Sequence, residues 1–311
     1  MHWASPTRPA PAESPRAGRQ QGYVVVAVRC RALAFFCMET KKKVIVISGA
    51  SSGIGKAIAT HMADLGHIVY GSSRNPLQND HPEGYTLLHL DVTIDSSVRE
   101  FIQAIQAKEG RIDVLINNAG KGMTGPVEEI PLAEVQALFD LNYFGALRMI
   151  QEVLPIMRSQ QSGWIVNISS IAGYMGLPYR AHYSAVKAAL STLTEGMRLE
   201  LKPFGIEMVN LAPGDFATNI ASGRYHAPLA KDSAYFEVYK EQLQQFDDHV
   251  HSGASPKAVA LFIEGLFNKT STKPHYFVAS TLQKFSASVL KKILPQRWFE
   301  RMLAKHYNLP L

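Results

Sequence analysis

The sequence predicts a doubly wound α/β domain, in which helices cover both faces of a parallel β-sheet. Short β-branched apolar runs recur from residue 44 onward, and helical patterns of about 10–20 residues separate them. Because parallel strands need such crossovers, this alternation indicates a parallel sheet. The composition agrees, since 46% of the 311 residues are hydrophobic and 19% are charged, as in an ordinary globular protein.

The predicted elements follow one another in regular order. The first strand, VIVIS at 44–48, is a continuous apolar run, which is typical of a strand buried on both faces. The other predicted strands are 67–73, 86–90, 113–117, 164–169 and 205–212, and the predicted helices are 53–66, 95–109, 131–160 and 181–202. No window approaches about 18 uninterrupted apolar residues, so we predict no membrane-spanning helix.

A turn rich in glycine and serine follows the first strand. Gly49, Gly53 and Gly55 allow a tight turn and a close approach of the backbone to a pyrophosphate. The helix that begins there presents unpaired N–H groups and its positive dipole end to the same phosphate. Surface turns also collect glycine and serine, but a position between a strand and a helix favours a dinucleotide-binding turn.

Further motifs follow that turn in a fixed order along the chain: Asn117-Asn118-Ala119-Gly120, Asn142, Ser170, Tyr183-x-x-x-Lys187, Pro213-Gly214 and Thr218. With the glycine spacing G-x-x-x-G-x-G, they resemble the short-chain dehydrogenase/reductase family over roughly residues 43–270. The whole stretch is most similar to the 17β-hydroxysteroid and retinol dehydrogenase-like branch. The resemblance implies a Rossmann fold, a nicotinamide cofactor, and a homodimer or homotetramer formed through the helix near 131–160 and the Tyr183 helix.

The end of the second predicted strand bears on the choice between NAD(H) and NADP(H). The chain reads Gly71-Ser72-Ser73-Arg74 there, so no carboxylate is placed to repel a 2′-phosphate. Arg74 can pair with that phosphate, and the two serines add hydroxyl donors. We therefore predict NADP(H) rather than NAD(H), although an arginine after a strand is more often a solvated surface charge.

The resemblance implies cofactor contacts for a set of residues at the ends of the strands: Gly49, Ser51, Ser52, Gly53, Ile54, Gly55, Ser73, Arg74, Asp91, Val92, Asn118, Ala119, Gly120, Tyr183, Lys187, Pro213, Gly214, Phe216 and Thr218. Within this set, Asp91-Val92 matches the pair of residues that contact adenine in the family. Asn118 matches a residue that steadies the central strands, so we expect its role to be structural first.

Tyr183 and Lys187 are the predicted proton-transfer pair. An ordinary tyrosine titrates near pH ~10, and an ammonium group four residues along a helix favours the phenolate. Ser170, thirteen residues before Tyr183, is placed to hydrogen-bond the substrate oxygen; Ser169 is the neighbouring alternative. By resemblance, Lys187 also holds the nicotinamide ribose, and Asn142 matches a residue whose helix distortion seats a proton-relay water.

The variable substrate lid of the family corresponds to about 215–253 in this chain. Its aromatic and apolar side chains (Phe216, Ile220, Tyr225, Tyr235, Phe236 and Tyr239), with Met175, Leu177 and Tyr179, suggest a lipophilic alcohol or ketone. The same side chains can instead simply pack the lid onto the domain. The stretch DDHVH at 247–251 has metal-ligand residue types, but we interpret it as a solvated loop and predict no metal site.

The net charge of +6 is concentrated at the N-terminus. Residues 1–43 hold eight Lys/Arg against Glu13 and Glu39, so the rest of the chain is neutral and a nucleic-acid groove is not indicated. Cys30 and Cys37 also lie in this leader, so the predicted domain has no thiol. We interpret 1–37 as an unstructured upstream extension, with an organelle transit peptide as the alternative, and predict a cytoplasmic protein.

The predicted domain spans 38–280, and 281–311 forms a basic amphipathic helical extension. Six Lys/Arg stand against Glu300 alone between 284 and 305. Such a helix can lie on a membrane, close the substrate pocket or dock on a neighbouring subunit. Because members of the resembled family frequently use this region for docking, we favour docking over membrane contact.

The sequence therefore predicts an NADP(H)-dependent oxidoreductase acting on a lipophilic alcohol, ketone or aldehyde. Two alternatives remain open: a 3-ketoacyl thioester reductase, and a non-catalytic NADP-binding regulatory protein. The second alternative is weakened because such proteins usually lose the tyrosine or the lysine of the pair, and this chain retains both.

Overall fold

Seven parallel strands form the central sheet, in the order β3-β2-β1-β4-β6-β7-β9. The computed structural model describes residues 42–76, 84–216, 223–251, 254–269 and 271–309, with the side chains of 247–251 left out. The strands of this sheet are β1 (Val44–Ile47), β2 (Ile68–Ser73), β3 (Thr86–His89), β4 (Val114–Asn117), β6 (Gly163–Ile168), β7 (Ile206–Pro213) and β9 (His275–Val278). Two short strands, β5 (Met123–Thr124) and β8 (Tyr225–His226), pair separately.

Helices connect the strands and continue beyond the last of them. They are α1 (Gly53–Asp64), α2 (Asp95–Glu109), α3 (Leu132–Phe139), α4 (Gly145–Gln160), α5 (Ala181–Leu201), α6 (Phe236–His251), α7 (Lys257–Phe267), α8 (Thr281–Phe285), α9 (Lys291–Ile293) and α10 (Gln296–His306). Two π-helical segments, Asp140–Phe144 and Ser286–Leu290, interrupt this series. No helix in the described ranges is long and apolar enough to cross a membrane.

Each face of the sheet carries its own apolar core. On one face, α2 and α4 pack their buried side chains, such as Phe101 and Met149, against alternate strand residues such as Val46 and Leu115. On the other face, α1 and α7 cover the remaining strand residues, such as Ile47. This two-sided burial explains why the strands read as continuous apolar runs, and it confirms the predicted doubly wound parallel fold.

A row of three buried asparagines crosses the sheet beneath α5. Asn117, Asn167 and Asn210 stand in register on β4, β6 and β7, and Asn117 donates a 2.8 Å hydrogen bond to Asn167. Asn167 donates to Thr194 on α5 at 2.9 Å, and Asn210 donates to Ser191 on the same helix at 2.8 Å. The asparagine row therefore attaches α5 to the sheet by polar contacts in an otherwise apolar interior.

Most predicted boundaries agree with the structure to within two residues, and three features differ. The helix predicted at 131–160 is broken into α3, the Asp140–Phe144 segment and α4. The β5–β8 pair was not predicted, because two-residue strands carry too little pattern, and β9 was not predicted, because it is partly exposed along its whole length. The predicted leader, 1–37, with Cys30 and Cys37, lies outside the described residues, and the domain boundaries 38–280 and 281–311 remain predictions.

The C-terminal extension packs back onto the domain. Phe299 and Tyr307 are buried in an apolar cluster with Met175 and Leu177, which precede the Tyr183 helix. Gln242 on α6 donates a hydrogen bond to the backbone oxygen of Tyr307 at 2.5 Å. The inner side of this segment therefore packs on the domain, and the three roles considered for it remain predictions.

Candidate active site

The predicted site residues converge at the carboxyl ends of the central strands. The chain order reverses between β1 and β4, whose outward crossovers lead to opposite sides and leave a crevice between them. The glycine turn follows β1, Asn118 follows β4, Ser170 follows β6 and Gly214 follows β7. Helix α5 brings Tyr183 and Lys187 to the same edge.

The glycine turn has a conformation that other residues would not tolerate. Gly49 and Gly53 have φ values of 68° and 56°, in the left-handed region. A Cβ atom on Gly55 would lie 2.2 Å from the Gly49 carbonyl oxygen and 2.5 Å from Asn118 Nδ2. No side chain caps the N-terminus of α1, whose N-cap is Ser52, so its first N–H groups suit a phosphate.

Asn118 holds that turn in place. Its side-chain amide donates to the carbonyl oxygens of Ser48 and Gly49, at 3.1 and 2.8 Å. The backbone N–H groups of Asn118 and Ala119 both donate to the Ser48 hydroxyl, at 3.0 Å. Asn118 thus joins the end of β4 to the turn after β1, which agrees with the structural role expected for it.

The residues predicted to meet the 2′-phosphate separate into two groups. Ser72 is buried, and its hydroxyl accepts a 3.0 Å hydrogen bond from Gly49 N–H, so it supports the turn and does not face outward. Ser73 is partly exposed and Arg74 is exposed at the end of β2. Burial alone would raise the pKa of Asp91. Hydrogen bonds from Thr93 and the positive charge of Arg74 outweigh burial, so the pKa of Asp91 lies below its ordinary value.

Tyr183 and Ser170 contact each other at the end of β6. Ser170 caps the short 3₁₀ helix Ile171–Tyr174 by accepting a hydrogen bond from Ala172 N–H at 3.2 Å. Its hydroxyl also hydrogen-bonds the Tyr183 side chain, which lowers the pKa of that phenol. Ser169 points the other way, donating to the Lys187 carbonyl oxygen at 3.1 Å. Of the two serines considered, only Ser170 reaches Tyr183.

Lys187 lies below Tyr183 with its amino group directed at the sheet. Its Nζ donates to the Ile168 carbonyl oxygen at 2.9 Å and lies 5.9 Å from the centre of the Tyr183 ring. Burial lowers the pKa of Lys187 to about 8. From the sequence we expect this ammonium group to lower the pKa of Tyr183, and that role of Lys187 stays a prediction.

Burial raises the pKa of Tyr183 above its ordinary value, and two arginines oppose that rise. Arg180 and Arg224 act by charge on the phenol, whereas Asp215 acts in the opposite direction. Sequence reasoning missed both arginines. Arg180 could have been found from its spacing, since it stands one helical turn before Tyr183; Arg224 comes from the lid, and no local pattern links it to the tyrosine.

Asn142 lies at the predicted helix distortion, which the structure shows as the π-helical segment Asp140–Phe144. Its side chain accepts a hydrogen bond from Lys121 N–H and donates to the Lys121 carbonyl oxygen, both at 2.9 Å. A Cβ atom on Gly120 would lie 2.6 Å from Asn142 Oδ1 and 3.7 Å from Lys187 Nζ. Asn142, Gly120 and Lys187 therefore meet at one point below the tyrosine.

Two apolar clusters meet at Tyr183 and Tyr179. One contains Met175, Leu177, Phe246, Phe299 and Tyr307, and the other contains Met123, Ile130, Leu138, Ala227 and Tyr239. Tyr179 stacks on Tyr239 at 5.5 Å between ring centres, and its φ of 55° is unusual for a tyrosine. Lid aromatics thus pack near Tyr183, and Tyr239 is buried among them, so the lipophilic substrate stays a prediction.

The remaining predicted site residues lie in different settings. Val92 is buried beside Gly145, and Gly214 lies beside Ala279 and Gln283. Phe216 is buried in the sheet core rather than open to the crevice. Thr218 and Ile220 lie outside the described residues. The backbone of 247–251 belongs to helix α6, so the interpretation of this stretch as a loop is wrong, and its side chains are not described. Among the described residues, no group of three or more His, Cys, Asp or Glu could hold a metal ion.

Comparison with known proteins places this geometry in a family. The sequence profile of short chain dehydrogenases matches residues 43–228. A 3-ketodihydrosphingosine reductase of Bacteroides thetaiotaomicron is 39% identical over 222 residues, which cover 71% of this chain and 82% of the relative. An NADPH-dependent 3-dehydrocapnine reductase of Ornithobacterium rhinotracheale is 30% identical, over 84% of this chain and 95% of the relative.

A solved structure supports the same assignment. The crystal structure of a short-chain dehydrogenase from Streptomyces avermitilis aligns with a TM-score of 0.72 and 31% identity, over 86% of this chain and 97% of the other. The glycine turn, the Ser170–Tyr183–Lys187 arrangement and these matches agree with one another. This chain belongs to the short-chain dehydrogenase/reductase family of oxidoreductases.

Proposed function

We propose that this protein is an NADP(H)-dependent reductase of a lipophilic ketone, with the secondary alcohol as its product, and that it also catalyses the reverse oxidation. The observation that carries the proposal is the position of Tyr183, hydrogen-bonded to Ser170 at the strand ends and enclosed by two apolar clusters. One relative is named as the reductase of a 3-keto compound and another as NADPH-dependent, which supports both parts of the proposal.

The residues at the strand ends fit the cofactor. Gly49 and Gly53 have positive φ, and the absence of a side chain on Gly55 lets the turn pack closely against Asn118, while the uncapped N-terminus of α1 suits the pyrophosphate. Arg74 and Ser73 would bind the 2′-phosphate, and Asp91 and Val92 the adenine. Lys187 would hold the nicotinamide ribose. When bound, the cofactor supplies the hydride, and the protein supplies orientation and proton transfer.

Tyr183 then supplies the proton to the carbonyl oxygen. Because burial keeps the pKa of the phenol raised, Tyr183 carries its proton at neutral pH, as an acid for reduction must. Ser170 donates to the same oxygen as negative charge develops on it. The charges of Arg180 and Arg224 lower the pKa of Tyr183, which stabilises the phenolate that remains after proton transfer. Asn142 and Lys187 lie below, where a returning proton would pass.

The apolar clusters around Tyr183 favour a substrate whose carbonyl is attached to an apolar body or chain. Met175, Leu177 and Phe299 supply one wall, and Tyr179 and Tyr235 supply part of the other. The 3-ketoacyl thioester remains the alternative substrate, and the non-catalytic NADP-binding protein remains the alternative function. A homodimer or homotetramer is proposed from the family's usual assembly and stays a prediction.

The test is coenzyme oxidation by the purified full chain against a panel of carbonyl compounds. The panel holds a steroid ketone, retinal, a long-chain 3-ketone, a short-chain ketone and a ketoacyl thioester, each with NADPH and NADH. We expect turnover of an apolar ketone with NADPH and a loss of about 100- to 10,000-fold in Tyr183→Phe. Arg74→Ala should weaken NADPH selectively, by about 10- to 100-fold in kcat/KM.

Tyr174→Phe is the matched control, since Tyr174 is also a half-buried tyrosine next to the site. Its hydroxyl hydrogen-bonds His275 and Asn210, so its removal should lower stability while turnover persists. Preference for the ketoacyl thioester would replace the proposed substrate class. Tight NADPH binding without turnover of any compound would favour the regulatory function, and a preference for NADH would contradict the role given to Arg74.

A further inference from the structure

The C-terminal extension exposes four large apolar side chains. Leu282 and Ile293 are each 73% exposed, Trp298 is 63% exposed and Phe285 is 49% exposed. We refer to these four residues as the exposed apolar set. The same segment buries Ala287, Phe299 and Tyr307 against the domain, so its inner side is already occupied. Four large exposed apolar side chains within one short segment mark it as a candidate contact surface.

Six cations alternate along the sequence with the exposed apolar set, against the single acid Glu300: Lys284, Lys291, Lys292, Arg297, Arg301 and Lys305. Within the described part of the chain, none of these six forms an ion pair with a carboxylate. Glu300 accepts instead from Gln296, at 2.8 Å. The segment is therefore a basic surface whose charge the protein itself does not neutralise.

An open groove continues this basic surface towards strand β9. Its volume is about 480 Å³, and its lining includes Lys269, Lys273 and Lys284 together with the hydroxyl groups of Ser271 and Ser288. Three ammonium groups are suited to a phosphate group, whereas the Ser288 hydroxyl already donates to the Lys284 carbonyl oxygen at 2.6 Å. The groove and the exposed apolar set share α8, where Lys284 stands between Leu282 and Phe285.

The positive charge of this surface distinguishes between two candidate partners, a second copy of the chain and an anionic lipid bilayer. If a second copy met this surface through the same surface, it would bring six uncompensated cations against six others. A bilayer containing anionic lipids offers negative charge to the cations and an apolar layer to Trp298, Leu282, Phe285 and Ile293. Tryptophan is also the residue best suited to the boundary between lipid headgroups and acyl chains.

We propose that the extension 281–305 binds the surface of an anionic lipid bilayer, with the exposed apolar set inserted among the acyl chains and the cations of this segment on the phosphates. The inner side of this extension lies against the Met175 and Leu177 wall near Tyr183, so binding would place the apolar side of the site beside the lipid. Vesicle binding is measured without turnover, so the proposal is independent of the catalytic assignment.

The test measures binding of the full chain to vesicles of phosphatidylcholine, alone and with about one-third phosphatidylglycerol. We expect sedimentation with the anionic vesicles, at least tenfold weaker binding to the neutral ones, and weakening by salt. The emission of Trp298 should shift to the blue on binding. The difference between the wild-type and Trp298→Phe spectra isolates this ring from Trp3 and Trp164.

A pair of charge variants provides the control. Replacing Lys284, Lys292 and Arg297 by glutamate should weaken anionic vesicle binding more than tenfold. The same replacement of Lys202, Lys231 and Lys257, exposed elsewhere on the domain, changes the net charge equally and leaves the basic leader intact. An equal loss of vesicle binding in both variants would show that only the net charge of the protein matters, and it would overturn the proposal. So would an unshifted Trp298 emission, or a Trp298→Ser change that dissociates an oligomer and leaves vesicle binding intact.

Discussion

At the scale of single residues, Lys187 gives the site a measurable pH dependence. Its pKa of about 8 lies below the ordinary 10.5 because burial disfavours the ammonium form. Between these values the unfolded chain binds more protons than the folded one, so this group's contribution to stability rises with pH. Relative to Lys187→Met, the free energy of unfolding should increase by about 2 kcal/mol from pH 7.5 to pH 9.5, as measured by urea denaturation.

The Lys187→Met variant is the control for the wild-type protein, because it retains all other titrating groups, including Tyr183. If the two proteins keep a constant difference in unfolding free energy across this interval, the lysine is charged throughout and its burial is not what sets its pKa. A difference that falls as pH rises would show that the folded protein stabilises the ammonium group.

Among residues, the sequence predicts identity better than electrostatic role. Tyr183, Ser170 and Asn118 lie where their spacing placed them, because each follows a strand or opens a helix and so depends on local order. The influence of Arg180, Arg224 and Asp215 on Tyr183 could not be derived the same way. Their charges act through space between elements that are distant along the chain. The sequence also did not reveal that Ser72 points inward, where its hydroxyl accepts a hydrogen bond from Gly49 N–H.

At the scale of elements, the glycine turn and helix α5 provide a matched comparison. A Cβ atom on Gly55 would collide with backbone at 2.2 Å, so Gly55→Ala must open the turn. We expect it to lower the free energy of unfolding by about 1–3 kcal/mol and to weaken NADPH binding at least tenfold. Calorimetry of unfolding and coenzyme titration measure the two effects.

Gly196→Ala is the control for that substitution. Gly196 lies inside α5, and no atom lies within 4 Å of the point that its Cβ would occupy, so alanine should stabilise the helix by about 1 kcal/mol. NADPH affinity should stay the same. Tight coenzyme binding by Gly55→Ala would mean that the turn accommodates a side chain, and the turn's role in phosphate binding would have to be abandoned.

The long helices were predictable because their apolar periodicity extends over many residues, and the buried strands because each is a continuous apolar run. The π-helical segment at Asp140–Phe144 was anticipated only through family resemblance at Asn142, since one extra residue in a helical turn barely alters periodicity. Strand β9 was missed for a different reason. It is four residues long, partly exposed, and held by pairing with β7, a long-range contact that a local pattern does not record.

At the scale of the whole molecule, the C-terminal extension contributes buried side chains to the domain, and we expect it to affect both stability and the site. Phe299 is 1% exposed and packs with Met175 and Leu177, whereas its neighbour Trp298 is 63% exposed. Phe299→Ala should lower the free energy of unfolding by about 3 kcal/mol and raise KM for a long-chain ketone more than for a short one. Trp298→Ala should change stability by less than about 0.5 kcal/mol.

Chemical denaturation and steady-state kinetics in detergent-free buffer distinguish the two substitutions. If Phe299→Ala raises KM for both ketones by the same factor, the extension supports the fold without shaping the apolar wall. If it changes neither stability nor KM, the segment does not form part of the folded interior, contrary to its packing.

The buried asparagine row also has a consequence for how the sheet assembles. Strands that are apolar on both faces can slide past one another with little change in what they bury, so hydrophobicity alone specifies their alignment weakly. Asn117, Asn167 and Asn210 remove that freedom, because a displaced strand would leave a buried amide without its partner. The asparagine row therefore favours one register of β4, β6 and β7. That register fixes the relative positions of Asn118, Ser170 and Gly214, which follow these strands.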